Sequence, residues 1–381
     1  MKFISLLHPF TAQAIGLEEK DLYHSHSKSQ ELALQHIQSK NQNINISIDY
    51  FTGKVLPYQK LIHNLTKKFW PVTRPLFNKR HQWRQQESVW HYKHQQKHPA
   101  ELTIINMSAY ASEYVFKLAR LINKQKMKYI PMLGGIHFKV SEDLINYYQN
   151  AHHIIVHTQV QKKNLLLKDQ FKNLDIRVLP LGVDISLFKP AKSATHSSAY
   201  FSLIQVGRIS KVKNIECSIN LIAFLKKSGL NVKLKLIGAI SDQSYYKKLS
   251  FLIKTLQLED NISFIDAVEQ EKLVEFYQVS DLLLMPSHHE SFGMVMIEAM
   301  ACGCPVVGFK GSGGTDEIIV NGKNGLLLEK DEFEDTILKL LKDKEYLQSL
   351  KQNALESVKQ NWSIEVTTSI LSKSIEDGLD G

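Results

Sequence analysis

The chain has 381 residues, 43% of them hydrophobic, which is enough for two domains with a core each and does not fit a disordered chain. A formal net charge of +9 favours anionic partners, whether nucleic acid, acidic lipid headgroups or phosphorylated substrates. Net charge alone does not choose among these three.

The three cysteines, Cys217, Cys302 and Cys304, cannot all pair within one chain, which argues for a reducing compartment. Cys302 and Cys304 could suggest a metal site, but no second cluster of Cys or His ligands lies near them. We therefore expect both to be small residues that pack at a buried helix end.

The N-terminal apolar run Phe3–Leu7 is ended by His8 and Pro9 before the core of a signal peptide can form. No run of about 18 apolar residues, the length that suggests a membrane span, occurs anywhere in the sequence. We expect a cytoplasmic protein, with peripheral binding to the inner face of the cell membrane left open.

Short apolar runs alternate with helical patterns along the N-terminal half, which is typical of βαβ units and parallel sheets. Between the third and fourth runs, Val115, Leu118, Leu121 and Ile122 have the spacing of a helix. The predicted strands are Phe3–Leu7, Ile44–Tyr50, Leu102–Met107, Ile130–Leu133, Ile154–Val156 and Arg177–Leu179.

Tyr58–Ala100 interrupts this alternation and is predicted to be a basic, aromatic insertion. Its cations, opposed by the single acid Glu87, are Lys60, Lys67, Lys68, Arg74, Lys79, Arg80, Arg84, Lys93 and Lys97. Trp70, Trp83 and Trp90 lie among them. Cations beside aromatics suit an anionic membrane surface, where each exposed Lys or Arg adds about 1 kcal/mol. The alternative is a solvated loop with a few buried tryptophans.

The small, polar stretch Lys192–Ser198 is typical of a linker between domains. The strands predicted after it are Ser202–Val206, Lys233–Ile237, Ile262–Ile265, Leu282–Met285, Val306–Phe309 and Leu326–Leu328. The sequence therefore predicts an α/β protein with two doubly wound, Rossmann-like domains facing a cleft, over residues 1–190 and 199–360. A helix over residues 361–381 is expected to pack back toward the N-terminal domain.

The most informative segment is Pro286–Pro305, which reads PSHHESFGMVMIEAMACGCP. It follows the strand Leu282–Met285, so Glu290 is expected in the turn at the carboxyl end of that strand, where open α/β sheets bind ligands. Glu298 falls on the helix that begins near Gly293, whose N-terminus suits a diphosphate. The two carboxylates can therefore reach different parts of one extended ligand.

This segment resembles the glutamate-x7-glutamate motif of glycosyltransferase family 4, in the GT-B fold group. Upstream, residues 207–214 (GRISKVKN) resemble the family's phosphate-binding Gly-Arg and Lys-Asn. Downstream, residues 313–319 (GGTDEII) and 321–325 (NGKNG) resemble its closing segments. The likeness covers about residues 200 to 330.

The resemblance implies that Arg208 and Lys213 hold the donor diphosphate, which a bidentate guanidinium and an ammonium suit well. It also implies that Glu298 binds the ribose hydroxyls and that Glu290 holds the donor sugar near its reacting carbon. Backbone N–H groups would contact sugar hydroxyls and phosphate, namely those of Phe292, Gly293 and Met294. Taken singly, such an Arg, Lys or Glu is usually a solvated surface group.

The first domain resembles the family less closely. Ile130 and Pro131, followed by residues 134–137 (GGIH), resemble the strand and histidine that the family places across the cleft, so His137 is a candidate site residue. Residues 8–12 (HPFTA) stand where the family often has a glycine-rich loop, and Asp266 stands where a glycine is common. These departures leave the acceptor and the nucleobase open.

The resemblance implies a retaining glycosyltransferase that moves a sugar from a UDP- or GDP-sugar to a glycan or lipid-linked acceptor, in cell-surface polysaccharide or lipopolysaccharide synthesis. No metal or other cofactor is expected, because Arg208 and Lys213 supply the positive charge and no Asp-x-Asp cluster lies near the donor motif. No nucleic-acid partner is expected. The alternatives are another GT-B enzyme (a phosphorylase or sugar-nucleotide epimerase) and a non-catalytic protein that binds nucleic acid or a membrane surface.

Overall fold

The computed structural model describes residues 1–15, 17–23, 28–73, 86–136, 140–192 and 199–380. The chain divides into two compact units: unit 1 is Met1–Leu181 with Ile364–Gly381, and unit 2 is Gly182–Ser363. The sequence placed the corresponding boundaries at 190–199 and 360/361. Most of the predicted linker, residues 193–198, lies outside the described residues.

Unit 1 is built around one sheet with the strand order β3-β4-β2-β1-β5-β6-β7-β8. All neighbouring strands are parallel except β3 and β4, which are antiparallel. The strands are β1 (Lys2–His8), β2 (Ile44–Thr52), β3 (Tyr58–Ile62), β4 (Leu65–Pro71), β5 (Leu102–Ile105), β6 (Lys128–Leu133), β7 (Ile154–Val156) and β8 (Ile176–Val178). The helices are α1 (Ser29–Lys40), α2 (Val89–Lys97), α3 (Glu113–Lys124), α4 (Glu142–Gln149), α5 (Gln159–Leu166) and the C-terminal α13 (Ile364–Asp380).

Helices cover both faces of this sheet. On one face, α1 packs against α13, and apolar side chains from both helices join the strand residues of one core cluster. On the other face, α3, α4 and α5 contribute to a second cluster. None of the helices in the described residues has the length and apolar character needed to span a bilayer.

The strands β3 and β4 were not predicted, and they change the interpretation of Tyr58–Ala100. Lys67 of β4 is fully buried, and its Nζ donates to Glu31 Oε2 at 2.6 Å and to the Leu22 carbonyl at 2.8 Å. Burial alone would raise the pKa of Glu31, but the charges of Lys28 and Lys67 and a hydrogen bond from His8 hold it well below its usual range. This part of the predicted insertion is therefore an internal part of the sheet.

Trp70, also on β4, is likewise an internal residue. It is buried, and its indole Nε1 donates to the buried Asp49 carboxylate at 2.7 Å. Lys60, Lys93, Lys97 and Trp90 are exposed. Residues 74–85, which include Trp83 and four of the nine cations, lie outside the described residues.

Unit 2 contains a wholly parallel sheet with the strand order β11-β10-β9-β12-β13-β14. Its strands are β9 (Phe201–Val206), β10 (Val232–Ile237), β11 (Ile262–Ile265), β12 (Leu282–Met285), β13 (Val306–Phe309) and β14 (Gly325–Leu328). Its helices are α6 (Ile215–Lys227), α7 (Gln243–Thr255), α8 (Gln270–Gln278), α9 (Met294–Ala301), α10 (Gly314–Ile318), α11 (Phe333–Lys342) and α12 (Lys344–Asn361). The prediction of two doubly wound α/β domains is confirmed.

The central strand β12 shows why strands of unit 2 could be predicted from the sequence. All four of its residues are apolar and at most 1% exposed. Strands covered by helices on both faces form continuous apolar runs, and this is the pattern that predicted β12.

Candidate active site

The strand order of unit 2 places a topological switch point between β9 and β12. From β9 the chain winds through β10 and β11 toward one edge of the sheet, and from β12 it winds through β13 and β14 toward the other edge. Open parallel sheets bind ligands in the crevice outside the carboxyl ends of the two strands at such a point. Residues 207–214 follow β9 and residues 286–293 follow β12, so both predicted donor segments flank the switch point.

The loop after β9 is held in place by hydrogen bonds to its backbone and from its side chains. Gln205 Nε2 donates to the Lys213 carbonyl at 2.8 Å, and Asn214 Nδ2 donates to the Pro286 carbonyl at 3.0 Å. The His288 N–H donates to the Val212 carbonyl at 2.9 Å. The two loops at the switch point are therefore tied together through their backbones.

Lys213 and Glu290 form an ion pair across the switch point, with Nζ and Oε1 2.5 Å apart. The Lys213 side chain is 20% exposed and that of Glu290 is 9% exposed, so the pair is largely shielded but not wholly closed to solvent. The structure thus brings together two residues that the sequence placed on different parts of the donor. Arg208 lies exposed on the same loop as Lys213.

The backbone of Glu290 is fixed by the segment Ser312–Gly314. The Glu290 N–H donates to the Ser312 carbonyl at 2.7 Å, and the Gly314 N–H donates to the Glu290 carbonyl at 2.8 Å. A Cβ at Gly313 would lie 2.6 Å from the Glu290 oxygen, and one at Gly314 would lie 2.1 Å from the Phe292 oxygen. The paired glycines therefore let this segment approach the donor loop closely.

Helix α9 begins directly after the donor loop. Its N-cap residue Gly293 has a φ of 91°, in the left-handed region that favours glycine, and a Cβ there would lie 2.4 Å from Met296 Cε. The first turn of a helix leaves its N–H groups without partners inside the helix, and here that turn starts at Met294. Phe292 is buried against Trp362, with ring centroids 5.7 Å apart.

Glu298 lies on α9 and is 4% exposed. Gln270 Nε2 donates to its Oε1 at 3.2 Å, and the Tyr277 hydroxyl donates to its Oε2 at 3.1 Å. Burial raises the pKa of Glu298 to about 7, although both hydrogen bonds act to lower it. Within the described part of the chain, no cation pairs with this carboxylate.

Sequence reasoning missed Gln270 and Tyr277. Both lie on α8, seven positions apart, and seven residues are about two helical turns, so they share one face of that helix. Their spacing is the one sequence feature that predicts that the two side chains lie on the same side of α8.

The two cysteines after α9 are buried, as the sequence predicts. Cys302 is the C-cap residue of α9, and Cys304 precedes β13. Among the described residues, no three His, Cys, Asp or Glu side chains are gathered so that they could hold a metal ion.

In unit 1, the candidate His137 lies outside the described residues. At the carboxyl end of β1, the His8 ring is 2% exposed and stacks on Tyr50, with centroids 4.5 Å apart. Its Nδ1 lies 3.1 Å from the Asn106 amide nitrogen at the end of β5. The end of β1 is therefore packed by the side chains of Tyr50 and Asn106.

Residues 191–357 match the family model described as glycosyl transferases group 1. The chain is 35% identical over 167 residues to N-acetyl-alpha-D-glucosaminyl L-malate synthase of Bacillus anthracis, covering 43% of this chain and 42% of that one. It is 30% identical over 234 residues to D-inositol 3-phosphate glycosyltransferase of Mycolicibacterium smegmatis, covering 59% and 53%. The chain therefore spans about half the length of the curated relatives it matches.

The solved structures show the fold over nearly the whole chain. Sucrose-phosphate synthase of Thermosynechococcus elongatus has a TM-score of 0.76 at 17% identity, covering 99% of this chain and 98% of that one. Anabaena HepE, solved in complex with UDP and glucose, has a TM-score of 0.74 at 20% identity, covering 99% and 100%. The chain thus has the fold of GT-B glycosyltransferases, and residues 191–357 are similar in sequence to glycosyl transferases group 1.

Proposed function

We propose that the protein is a retaining glycosyltransferase whose nucleotide-sugar donor binds at the switch point of unit 2. The observation that carries this proposal is the meeting of Lys213 and Glu290 at 2.5 Å between the loops that follow β9 and β12, with Glu298 on the next helix. The family match and the relative named as a D-inositol 3-phosphate glycosyltransferase support the same activity. The neighbour solved with UDP and glucose supports UDP-sugars as the first donors to test.

The proposed contacts are those that the family resemblance implies. Arg208 and Lys213 bind the diphosphate, and Glu298 accepts hydrogen bonds from the ribose hydroxyls. Glu290 binds the donor sugar, and the backbone N–H groups of residues 292–294 contact sugar hydroxyls and phosphate at the start of α9. His137, which lies outside the described residues, is proposed as a further site residue on the family resemblance alone.

In this proposal, donor binding opens the ion pair between Lys213 and Glu290. A diphosphate carries more negative charge than one carboxylate, so it competes well for the Lys213 ammonium. Once released, Glu290 is free to accept hydrogen bonds from the sugar. The two residues then have the separate roles that the family resemblance implies.

Catalysis in this proposal depends on positioning and electrostatics. As the bond between the anomeric carbon and the phosphate oxygen breaks, negative charge grows on the leaving diphosphate, and Arg208, Lys213 and the start of α9 stabilise it without reorganisation. The acceptor hydroxyl attacks from the same face as the leaving group, and the departing phosphate oxygen takes its proton. We propose that no metal ion takes part, because the two protein cations supply the charge.

We further propose that the acceptor is a glycan or a lipid-linked intermediate, made at the inner face of the cell membrane in the synthesis of a cell-surface polysaccharide or lipopolysaccharide. The support lies on α2, where Trp90, Lys93 and Lys97 occupy positions i, i+3 and i+7 on one exposed face. Trp90 is 49% exposed. A tryptophan beside two lysines suits an anionic membrane surface.

The proposal is tested with a panel of UDP- and GDP-sugars, measured first by thermal shift and then by release of the nucleoside diphosphate with a membrane extract as acceptor. We expect one donor to raise the melting temperature and to be consumed, with activity retained in EDTA. Arg208→Ala and Lys213→Ala should lower turnover more than donor affinity, because their partner gains charge in the transition state. Lys310→Ala, an exposed lysine of the same unit, is the matched control.

Three outcomes would contradict the proposal. If no nucleotide sugar of the panel raises the melting temperature or is consumed, the protein is better explained as one that binds nucleic acid or a membrane without catalysis. A loss of activity in EDTA that manganese restores would overturn the metal-independent mechanism. Full turnover in both the Arg208 and Lys213 variants would show that these residues do not bind the diphosphate.

A further inference from the structure

The two oxygens of Glu298 are each held by a side chain of α8. Gln270 donates to Oε1 and Tyr277 donates to Oε2, at 3.2 Å and 3.1 Å. Tyr277 is fully buried, and α8 packs directly against α9. The orientation of the Glu298 carboxylate is therefore set by a neighbouring helix and not by solvent.

An ionised carboxylate offers about four acceptor positions, two on each oxygen. The α8 side chains occupy one position on each oxygen of Glu298, so one position on each remains available. Two adjacent hydroxyl groups of a ribose can donate to this pair of positions together. The geometry that α8 imposes thus matches a vicinal diol.

We propose that Tyr277 and Gln270 are positioning residues that aim the Glu298 carboxylate at the ribose diol of the donor. This inference rests on the proposed function, because it takes the donor to be a nucleotide sugar bound by Glu298. Neither residue needs to touch the donor. Tyr277 acts by fixing Oε2 and by stabilising the ionised form of Glu298.

The partners of Glu298 give this proposal a measurable pH dependence. Among the described residues, the titratable groups that face Glu298 and Tyr277 are each other and the thiols of Cys302 and Cys304. Burial raises the pKa of the Cys302 thiol to about 12 and that of Cys304 higher still, so both stay neutral in the working range. Glu298 is therefore the group whose charge changes near neutral pH, and the hydrogen bond from Tyr277 lowers its pKa.

The test compares the affinity of UDP and GDP with that of their 2′,3′-dideoxy counterparts for the full chain, by calorimetry from pH 6 to 9. The two members of each pair differ only in the 2′ and 3′ hydroxyls. The ratio of their affinities, ribose form over dideoxy form, therefore measures the contribution of the diol. We expect the ratio to be high at pH 9 and to fall as Glu298 is protonated. Tyr277→Phe should lower the ratio by about tenfold, the effect of losing one hydrogen bond to a charged group. It should also move the fall of the ratio to higher pH.

Tyr346→Phe is the matched control, because its hydroxyl donates to the Gly322 carbonyl in the same unit. Gln270→Ala changes a partly exposed residue, so it tests the proposal if the Tyr277 variant fails to fold, and it should lower the ratio as well. A Tyr277→Phe ratio and pH profile equal to those of the wild type would overturn the inference. Absence of nucleotide binding by the wild type would instead overturn the proposed function, and this inference with it.

Discussion

Among single residues, Lys213 and Glu290 are expected to have the largest effect on donor binding and sugar transfer. Their charges pair at 2.5 Å, and both side chains are largely shielded from solvent. An anion that binds Lys213 therefore competes with Glu290 for the ammonium. This competition predicts that removing the Glu290 charge lowers sugar transfer without lowering nucleotide affinity.

Glu290→Gln should keep or raise the affinity for a nucleoside diphosphate, because Lys213 no longer has a carboxylate partner. Transfer should fall by about tenfold or more, because the amide holds the donor sugar less well than the carboxylate. Calorimetry with UDP and GDP, together with a transfer assay, checks both effects. Glu329→Gln, which removes the exposed partner of Lys310, should change neither quantity. A loss of nucleotide affinity in Glu290→Gln as large as the loss of transfer would place Glu290 on the nucleotide.

Among the elements, the strands of unit 2 were the most predictable. Ile262–Ile265, Leu282–Met285 and Val306–Phe309 were predicted with the bounds that the structure shows. The interior strands β12 and β13 are buried and leave continuous apolar runs. The edge strand β11 is only partly buried, but three of its four residues are apolar. The strands β3 and β4 were missed. Strand β3 lies at the sheet edge and is largely exposed, and β4 carries a lysine in its interior whose partner is remote in sequence.

In the candidate site, too, local features could be predicted from the sequence, and contacts between distant residues could not. The positions of Glu290 in a loop and Glu298 on a helix follow from local spacing, and the structure places both as expected. The contact of Lys213 with Glu290 joins residues 77 positions apart, and that of Tyr277 with Glu298 crosses from α8 to α9. Such contacts depend on tertiary packing, which no local pattern contains.

The buried pair between Lys67 and Glu31 gives a prediction about β4. Lys67→Met should destabilise unit 1 by about 3–5 kcal/mol, because Glu31 would keep its burial while losing a charged partner. Chemical denaturation, followed by a probe in unit 1, measures this loss. Lys60→Met, on the exposed side of β3, should cost much less. Adding Glu31→Gln to Lys67→Met should restore part of the lost stability. Equal stability of Lys67→Met and Lys60→Met would contradict this prediction.

The exposed face of α2 gives the corresponding prediction for the membrane. The full chain should co-sediment with anionic vesicles at low salt, and less at high salt, because salt screens surface charge. Lys93→Gln with Lys97→Gln should weaken binding by about 2 kcal/mol, at about 1 kcal/mol for each lysine. Lys339→Gln with Lys342→Gln on α11 is the control with the same change of charge. A wild-type protein that stays in the supernatant beside anionic vesicles would make a soluble acceptor the better hypothesis.

At the scale of the whole molecule, the two units are predicted to respond to acid in opposite directions. Unit 1 contains buried histidines whose pKa is lowered by burial, to about 4 for His91 and His157 and to about 3 for His153. Between pH 6.5 and about 4 the unfolded chain therefore binds more protons at these sites than the folded chain, and unit 1 loses stability as pH falls.

In unit 2, burial raises the pKa of Glu298 to about 7, so the folded state binds its proton first and gains stability as pH falls from about 7 toward 4.5. Hydrogen exchange of backbone amides at pH 7.5 and 5.5, corrected for intrinsic rates, measures each unit separately. Strands of unit 1 should lose protection at pH 5.5, while those of unit 2 keep or gain it. Glu298→Gln should remove the gain. A loss of protection that begins in unit 2 would contradict the prediction.

A crystal structure of the full chain with UDP or GDP bound would show whether the switch point of unit 2 holds a nucleotide-sugar donor. We expect the phosphates against Arg208, Lys213 and the start of α9, and the ribose hydroxyls within hydrogen-bond distance of Glu298. We also expect that Lys213 has left Glu290 for the diphosphate. A nucleotide bound elsewhere, or one bound while Lys213 stays paired with Glu290, would contradict the proposed donor site.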